Sequence, residues 1–313
     1  MISTVTLNPA LDVILEVDDL QLNQYNKVNI ASILPGGKGI NVSKAVRACG
    51  RETIAIGFLG GGRGRIIEEE LRKFGITTNF WHIENKTRSN TIVYDKKHNH
   101  HTLLSETGPK ITEYDVEMIL SIFYRIMSQS EMVALSGSIP PGAPEDIYAT
   151  MIEIAKDRGV RSILDASGVE FAKGLEKQPF LAKPDLRKSN EVFGIKINSQ
   201  ENAIKAAKEI VARGAEVSVV SFESVKDVFA TKDNLWLSES SHHEIVNIIG
   251  AADALVAGLA VALTENDRTL EEAIKFSMSC ALASALSEEE EFDSREQVDK
   301  CRNCIKIAKL LKK

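Results

Sequence analysis

The sequence predicts an α/β fold in which helices cover both faces of a mainly parallel sheet. Short apolar runs rich in β-branched residues alternate with longer amphipathic stretches over most of the 313 residues. Strands separated by helices of this length are typical of βαβ units on a parallel sheet. Two further stretches look like strands without an intervening helix. They predict a small second sheet over the strand ends, a lid.

The elements of the main layer can be read in chain order. Five apolar runs, mostly flanked by polar or glycine residues, predict strands over Ser3–Leu7, Thr53–Leu59, Met132–Leu135, Ser162–Leu164 and Val217–Val220. Amphipathic stretches predict helices over Asn41–Ala48, Arg65–Phe74, Glu113–Met127, Pro144–Asp157, Gln200–Arg213, Ala252–Leu263 and Glu271–Leu286. Ligands of such sheets bind at the carboxyl ends of the strands.

The predicted lid comes from residues of about 12–34 and 88–105. Val13–Ile33 follows the first strand directly, and Thr91–Leu104 carries a polar turn over Asp95–His101. A cover over the strand ends suits a reaction from which water must be excluded. No Pro/Ser-rich linker or internal repeat divides the sequence. We therefore predict a single domain, residues 1–313, that carries the lid.

Composition excludes several classes of function. The formal net charge is −6 and basic residues are scattered, whereas a nucleic-acid platform needs a basic face. No run approaches the roughly 18 apolar residues of a membrane span, and the N-terminal residues lack a signal-peptide pattern. We therefore expect a cytoplasmic protein that binds neither nucleic acid nor a membrane.

Cysteines and histidines give no sign of a metal site. The four cysteines are too few and too unevenly spaced for a disulfide framework. Cys301 and Cys304 form a lone CxxC, which we interpret as part of a helical surface, like the basic end Lys306–Lys313. Three histidines of the predicted lid turn have no carboxylate at ligand spacing, so a solvated turn is favoured over a metal site; they are His98, His100 and His101.

A glycine-rich segment at residues 35–42 reads PGGKGINV and precedes a predicted helix. Its glycines permit a close approach of backbone to a ligand, and the helix presents free N–H groups at its N-terminus. Lys38 adds a cation and Asn41 an amide, but the GK[ST] ending of a Walker A loop is missing. A tight turn before a helix explains the segment about equally well.

A second candidate, Asp253, follows Gly250-Ala251-Ala252 at the start of an amphipathic helix. A carboxylate beside helical N–H groups that receive a developing negative charge is one reading. A capping residue or a favourable charge on the helix dipole is the other, and the segment by itself favours it.

Six segments occur in one order along the chain: TLNPALD at 6–12, PGGKGINV at 35–42, TRSN at 87–90, ETGP at 106–109, SGSIPPG at 136–142 and LDASG at 164–168. Together they resemble the pfkB (ribokinase-like) family of carbohydrate kinases, and within it 1-phosphofructokinases and tagatose-6-phosphate kinases. The resemblance covers essentially the whole chain. It implies a ribokinase-like three-layer α/β/α fold with a small β-sheet lid, and phosphoryl transfer from ATP, with Mg²⁺, to a sugar phosphate.

The resemblance also implies an acceptor site. Its members would be Asp12 and Asn41 for the sugar hydroxyls, Gly36 and Gly37 for close approach of the backbone, Arg88, Lys38 and Lys27 for the phosphate on the sugar, and Asn90 and Ser138 to complete it. Arginine suits phosphate because its planar fork meets two oxygens. Read without the resemblance, Asp12 is a turn residue, Arg88 a surface charge of the lid and Lys38 a solvated cation.

The donor side follows from the same resemblance. Asp253 would take the proton of the attacking hydroxyl, and the N–H groups of Gly250, Ala251 and Ala252 would form an anion hole for the transferring phosphoryl group. The nucleotide would lie along two segments that contain Lys183, Asp185, Ser221 and Glu223.

Three donor segments depart from the family pattern. Ala252 stands where GAGD has a glycine, and Ile248 where a threonine is usual. Lys188 replaces the glutamate that helps to hold Mg²⁺. The glycine-rich turn along the nucleotide reads SFESVK over 221–226, with Glu223 and Lys226 where polyphosphate would lie nearby.

Three functions therefore stay open. A kinase of fructose 1-phosphate is preferred over one of tagatose 6-phosphate, because TVTLNPALD and PGGKGINV are more like 1-phosphofructokinases. A sugar-phosphate-binding protein of kinase ancestry with a weakened nucleotide site is the second hypothesis. The third is a kinase of an unphosphorylated sugar or nucleoside, which Arg88 and Lys38 disfavour. A homodimer that forms through the lid is a further expectation.

Overall fold

The computed structural model describes residues 1–187, 189–223, 225–241, 250–265, 268–287 and 292–310. The strands over these residues are β1 (Ile2–Thr6), β2 (Ala10–Val17), β3 (Asn29–Gly36), β4 (Thr53–Gly60), β5 (Thr77–Ile83), β6 (Arg88–Asp95), β7 (His100–Ser105), β8 (Met132–Ser136), β9 (Arg161–Ala166), β10 (Leu181–Pro184), β11 (Glu191–Val192), β12 (Ile195–Lys196), β13 (Val217–Phe222), β14 (Lys226–Ala230), β15 (Leu235–Ser240) and β16 (Ile305–Leu310). The helices are α1 (Lys38–Ala48), α2 (Gly61–Lys73), α3 (Glu113–Met127), α4 (Ile147–Asp157), α5 (Gly168–Leu175), α6 (Gln200–Ala212), α7 (Ala251–Thr264), α8 (Leu270–Leu286) and α9 (Arg295–Cys301).

The main sheet has ten strands in the order β16-β15-β14-β13-β10-β9-β8-β1-β4-β5. The strands from β13 to β5 pair in parallel, and β14, β15 and β16 extend the sheet as antiparallel neighbours. The predicted mainly parallel sheet is confirmed. Its parallel strands all end on one edge, so the loops that follow them converge there.

Helices cover both faces of this sheet because its central strands are apolar on both sides. In β8, Val133 and Leu135 pack in a core with residues of α3, α4 and α6. The alternate residues, Met132 and Ala134, pack in a second core with residues of α1, α7 and α8. One strand thus supplies two cores through its two-residue period, which produces three layers.

A second sheet of four strands has the order β3-β2-β6-β7. We call it the small sheet. Its outer pairs are antiparallel and its central pair, β2 with β6, is parallel. Ala10 is paired with Gly36 on one side and with Arg88 on the other. Several predicted site residues therefore lie at one end of the small sheet, where it leaves the main sheet.

The best-predicted helix is α3, whose bounds agree with the sequence pattern. Thr112 and Asp115 form a capping box at its start, in which each side chain accepts a hydrogen bond from the other residue's backbone N–H. Its buried stripe includes Ile119, Ile122 and Phe123. No helix in the described parts of the chain has both the length and the apolar character that a membrane crossing requires.

The C-terminal segment was predicted wrongly. Residues 305–310 form β16, antiparallel to β15, and not a helical surface. The reason is visible in its two-residue period, since Ile305 and Ile307 face the core side while Lys306 is exposed. Cys301 is buried at the end of α9, and Cys304 lies in the 3-10 turn that follows. Residues 311–313 lie outside the described part.

The interpretation of the histidines also needs one correction. Carboxylates do reach His98, because Asp95 Oδ2 lies 2.9 Å and Asp19 Oδ1 4.0 Å from its Nδ1. Asp95 accepts backbone hydrogen bonds from Leu20 and His98 as well, so it organises the turn between β6 and β7.

Candidate active site

A buried cluster of charges marks the edge where the parallel strands end. Lys38 opens α1, Asp165 lies near the end of β9, Asp185 follows β10 and Asp253 lies in the first turn of α7. The Nζ atom of Lys38 is 2.9 Å from Asp165 Oδ2, 3.4 Å from Asp253 Oδ1 and 3.7 Å from Asp185 Oδ2. Two helix N-termini and two strand ends thus meet at one ammonium group.

Lys38 keeps its charge in this setting although its side chain is only 6% exposed. Burial acts to lower the pKa of Lys38, but the carboxylates of Asp165 and Asp253 outweigh it, and the net pKa is raised. The ammonium group therefore stays protonated and partly neutralises the three acids. The assignment of Lys38 to the phosphate of the sugar stays a prediction.

Asp165 is the most deeply buried member of the cluster, at 0% exposure. Neither of its carboxylate oxygens accepts a hydrogen bond of good geometry, and the ammonium group of Lys183, 3.9 Å from Oδ1, adds a second cation. Sequence reasoning gave Asp165 no role. A charged residue that closes the buried run Ser162–Leu164 was the available signal, because a buried charge needs a partner.

Asp253 has two differently held oxygens. Asn41 Nδ2 donates a 2.9 Å hydrogen bond to Oδ2, and Oδ1 faces Lys38. Gly250 caps α7 in a left-handed conformation with φ of 88°, and its carbonyl accepts from the N–H of Asp253. A carboxylate fixed in this way beside the N–H groups of the first helical turn can accept a proton while those groups stabilise an anion.

The alanine at position 252 fits this geometry. Ala252 lies inside α7 with an exposed side chain, so its backbone is helical and its methyl group points away from the packed interior. Helical backbone accepts alanine at no cost relative to glycine. The departure from GAGD at this position therefore leaves the helix N-terminus of Gly250 and Ala251 intact.

Gly36 is required by the position of Asp12. A Cβ atom on Gly36 would lie 1.9 Å from Asp12 Oδ2, so any side chain there would displace the carboxylate. Gly37 has φ of 119°, which side chains rarely tolerate, and a Cβ there would lie 2.7 Å from Thr6 Cγ2. The backbone at these two glycines thus packs directly against the segment that carries Asp12.

Hydrogen bonds link Asp12 to the end of the small sheet. Asn90 Nδ2 donates to Asp12 Oδ1 over 2.7 Å, and Ser105 donates to Asn90 Oδ1 over 2.7 Å. Arg88 Nη1 donates to Ser105 Oγ, and its Nε donates to the carbonyl of Asn8. The predicted acceptor residues Asp12, Asn90 and Arg88 are therefore part of one network.

Arg88 is half-buried, and burial lowers its pKa while the Asp12 carboxylate opposes the shift. An arginine stays protonated despite such a shift. The guanidinium group of Arg88 is thus charged and fixed by hydrogen bonds, and such a group is a suitable donor to phosphate oxygens.

Ser138 lies on the loop after β8, near the same network. Asn8 Nδ2 donates to the carbonyl of Thr107 at 3.0 Å and lies 3.5 Å from Ser138 Oγ. The buried hydroxyl of Tyr148 donates to the carbonyls of Ser136 and Gly137, which fixes this loop. Asn8 was not predicted as a site residue, although it stands inside the TLNPALD segment.

Lys27 lies far from this network in the same chain. It is exposed on the loop between β2 and β3, at the end of the small sheet where Glu16 pairs with Asn29. Arg88 pairs with Ala10 at the opposite end. At about 3.3 Å per residue the strand separates the two ends by roughly 20 Å.

Two of the predicted nucleotide residues belong to or contact the charge cluster, Asp185 through Lys38 and Lys183 through Asp165. Lys183 is buried, and Asp185 accepts from Arg187 through both oxygens, at 3.0 Å and 2.7 Å. Burial acts to raise the pKa of Asp185, but Arg187 and Lys38 outweigh it and the pKa is lowered. Arg187 was not recognised from the sequence. It is the cation that forms an ion pair with Asp185.

The strand β13 leads to the remaining two nucleotide residues. Ser221 donates to Asp227 Oδ1 across the β13–β14 pair. Glu223 has φ of 46° and its carboxylate is 2.9 Å from Lys226 Nζ, so these two unusual charges pair with each other. Lys188 and Ile248, on which two departures from the family pattern rest, lie outside the described residues.

Comparison with known proteins agrees with this geometry. The sequence matches the pfkB family carbohydrate kinases over residues 6–295. The chain belongs to this family. A 1-phosphofructokinase of Bacillus subtilis is 35% identical over 310 residues, which cover 99% of this chain and 100% of the relative. A tagatose-6-phosphate kinase of Staphylococcus epidermidis is 28% identical over 310 residues, covering 98% and 99%.

A solved structure from Thermotoga maritima, described as a possible 1-phosphofructokinase, has a TM-score of 0.92 and 34% identity. It covers 99% of this chain, and this chain covers 100% of it. The expected ribokinase-like α/β/α fold of a pfkB carbohydrate kinase is thereby confirmed, as is the resemblance read from the six sequence segments.

The donor set of this pfkB family member fits a nucleotide polyphosphate. The first turn of α7 contains Asp253 of this cluster, and two further cations contact its acids: Lys183 Nζ is 3.9 Å from Asp165 Oδ1 and Arg187 Nη2 is 2.7 Å from Asp185 Oδ2. Oxygen ligands for a divalent cation are available in the carboxylates of Asp185 and Asp253. Magnesium held there would neutralise part of the negative charge of the phosphates.

Proposed function

We propose that the chain transfers the γ-phosphoryl group of ATP to fructose 1-phosphate and so forms fructose 1,6-bisphosphate. The proposal rests on the position of Asp253, which lies at a helix N-terminus between Asn41 and Lys38. Both of these residues belong to α1, which directly follows the two glycines that pack against the segment of Asp12. The names of the Bacillus subtilis and Thermotoga maritima relatives support the choice of acceptor.

In this proposal Asp253 accepts the proton of the attacking sugar hydroxyl. The hydrogen bond from Asn41 fixes the orientation of the carboxylate, and the ammonium group of Lys38 lies 3.4 Å from its Oδ1. N–H groups of Gly250, Ala251 and Ala252 would donate to the oxygens of the transferring phosphoryl group. Positioning and charge stabilisation of this kind account for most of the catalysis in phosphoryl transfer.

ATP and Mg²⁺ are the proposed cofactors. Lys183, Asp185, Ser221 and Glu223 are proposed to line the nucleotide, with Arg187 added from the structure. ATP supplies the phosphoryl group, and Mg²⁺ offsets the charge that accumulates on it. Arg88 would hold the phosphate already on the sugar, while Asp12, Asn90 and Ser138 orient its hydroxyls.

The small sheet is proposed to act as a lid over this site. Residues 1–313 would then work as one cytoplasmic domain with the lid strands β2, β3, β6 and β7. Closure would exclude water, which competes with the sugar hydroxyl for the phosphoryl group.

The small sheet also supports a proposal of homodimer formation. Exposed apolar side chains lie on β3 and on the loop between β2 and β3: Ile30 of β3 is 65% exposed, and Tyr25 and Leu22 of the loop are 93% and 81% exposed. Such a density is typical of interaction surfaces. Sedimentation of wild type and of Ile30→Glu tests it, with Val169→Glu on α5 as a matched exposed position. A monomeric wild type at micromolar concentration would contradict the dimer.

Release of the nucleoside diphosphate, ADP from ATP or GDP from GTP, is the decisive measurement of function. Fructose 1-phosphate, tagatose 6-phosphate and the free sugars are each tested with Mg-ATP and Mg-GTP. The proposal expects the highest kcat/KM with fructose 1-phosphate. A higher kcat/KM with tagatose 6-phosphate would make that sugar phosphate the acceptor. Turnover of free sugars alone would show that Arg88 does not bind a phosphate on the sugar.

A second candidate function is favoured by the paired charges Glu223 and Lys226 in the turn that would follow the nucleotide. It is a sugar-phosphate-binding protein with little turnover. Calorimetry separates it from the kinase, since it predicts micromolar binding of a sugar phosphate together with weak ATP binding and no ADP release.

A further inference from the structure

Two charged residues outside the predicted site hold the backbone on both sides of Arg88. Arg63 in the first turn of α2 donates through Nη1 to the carbonyl of Thr87, at 3.3 Å. Glu106, just after β7, accepts through Oε2 from the N–H of Ser89, at 3.0 Å. The positions immediately before and after Arg88 are therefore tied to two different side chains.

The same two side chains are joined to each other. Arg63 Nη1 lies 3.0 Å from Glu106 Oε2, so one carboxylate oxygen receives both a guanidinium and a backbone N–H. The N–H of Ser89 and the nearby Arg63 lower the pKa of Glu106, which keeps it ionised at neutral pH. The pair thus closes a loop of hydrogen bonds around residues 87–89.

Glu106 also reaches the guanidinium group of Arg88 through its backbone. Arg88 Nη1 donates to the carbonyl of Glu106 at 3.0 Å and to Ser105 Oγ at 2.9 Å. Ser105 in turn donates to Asn90, and Asn90 to Asp12. A continuous series of hydrogen bonds therefore runs from Arg63 on the surface to Asp12 beside Gly36.

We propose that Arg63 and Glu106 are positioning residues that fix the guanidinium group of Arg88 for the phosphate of the sugar substrate. The inference rests on the proposed function, in which Arg88 binds that phosphate. A bidentate contact to phosphate needs a guanidinium group of defined plane and height, and a mobile arginine would lose affinity when it is ordered by the ligand.

The solvent exposure of Arg63 and Glu106 indicates that the pair positions Arg88 and contributes little to folding. The side chain of Arg63 is 41% exposed and that of Glu106 52% exposed. Ion pairs at such positions add little to stability, since solvent screens them. Removal of the pair should therefore leave the protein folded while it releases Arg88.

The test is a double-mutant cycle between Glu106→Gln and Arg88→Ala, read as Kd for fructose 1-phosphate by calorimetry and as KM and kcat. Glu106→Gln keeps the shape of the side chain but removes its charge. We expect it to raise Kd and KM for the sugar phosphate about fivefold to tenfold, with kcat and KM for ATP within about twofold. In the Arg88→Ala background the same change should have no further effect.

Matched variants complete the design. Glu209→Gln removes an ion pair of similar exposure with Arg213 on α6, remote from the site, and should leave Kd unchanged. Arg63→Ala should reproduce Glu106→Gln, and Arg63→Lys, which keeps the cation, should recover most of the affinity.

Equal effects of Glu106→Gln in the wild-type and Arg88→Ala backgrounds would overturn the inference, as would a parallel rise in KM for ATP. Failure of the proposed function looks different, because wild type would then bind fructose 1-phosphate without releasing ADP, and the cycle would still be read from Kd. A wild type that binds no sugar phosphate would overturn both.

Discussion

Asn41 donates a 2.9 Å hydrogen bond to Asp253 and so joins the first turns of α1 and α7, although the two residues are 212 positions apart. The bond leaves Oδ1 of Asp253 to Lys38, at 3.4 Å. The orientation of the candidate base is therefore set by the segment that also carries the glycines of the acceptor site.

Replacement of this carboxylate should separate binding from catalysis. Asp253→Asn is expected to keep sugar-phosphate binding and to lose turnover by about 10²–10⁴-fold, roughly 3–5 kcal/mol of barrier, because an amide cannot accept the proton. Steady-state kinetics and calorimetry measure the two effects. Asp157→Asn, at an exposed position at the end of α4, serves as the control. Turnover within a few-fold of wild type would make Asp253 a helix cap.

The contact between Gly36 and Asp12 predicts a loss of acceptor binding. Gly36→Ala places a methyl group where Asp12 Oδ2 lies, 1.9 Å from the new Cβ, so the carboxylate must move. We expect KM for the sugar phosphate to rise by about fivefold to a hundredfold, since a misplaced hydrogen-bond partner of a hydroxyl costs on the order of 1–3 kcal/mol. KM for ATP should change little.

Gly62→Ala is the matched control, because a Cβ on Gly62 in α2 meets no atom within 4 Å. An equal effect of both substitutions, or an unchanged KM in Gly36→Ala, would show that Asp12 does not contact the sugar.

Arg88→Ala should weaken the sugar phosphate far more than the matching unphosphorylated sugar. A charge-assisted bond to phosphate contributes about 1.5–3 kcal/mol, which corresponds to roughly tenfold to a hundredfold in affinity. Competition binding with both ligands measures the difference. Arg72→Ala, an exposed arginine of α2, is the control. Equal weakening of both ligands would argue against a phosphate contact.

The carboxyl group of Asp227 gives a prediction about stability and pH. Burial raises the pKa of Asp227, and the hydrogen bond from Ser221 and the charge of Lys183 offset this only in part. The folded protein then holds the proton more tightly than the unfolded chain, so stability is lost as pH rises from the unfolded value, about 3.9, through the folded pKa.

Asp227→Asn removes the ionised form and can keep the acceptor oxygen for Ser221. We expect its thermal midpoint to rise relative to wild type at pH 8 and the difference to shrink toward pH 4. Scanning calorimetry at both pH values measures this. A midpoint that falls at pH 8, by more than at pH 4, would show that the attraction between Asp227 and Lys183 is the larger effect.

Local pattern was sufficient for much of the fold but not for several strands of the main sheet, namely β5, β10 and the antiparallel strands β14, β15 and β16. The helices have strong periodicity and recognisable caps, as in α3 with Thr112 and Asp115, and their predicted bounds are close to those found. β14 and β15 were missed because they are short runs of five and six residues, and β16 was missed because its partner β15 is distant in the sequence. In β16 the isoleucines alternate with other residues, but the lysines made the segment look like a basic helical surface.

The site was predictable where the residues follow one another and unpredictable where partners come together through the sheet. Gly36, Asn41 and Arg88 stand in recognisable segments. The three carboxylates around Lys38 come from β9, the end of β10 and α7, so their convergence depends on strand order. The ion pair between Arg63 and Glu106 also depends on the tertiary fold, because it forms where α2 lies next to the end of β7.

The separation of Asn41 from Asp253 also sets an interval in the synthesis of the protein. Every proposed acceptor residue from Asp12 to Ser138 is made before α7, and the proposed base is made 212 residues after its hydrogen-bond partner. At about 5–20 residues per second, a ribosome needs roughly 10–40 s to cover that distance. The growing chain therefore contains all of its proposed sugar contacts well before it contains the group that would make it a catalyst.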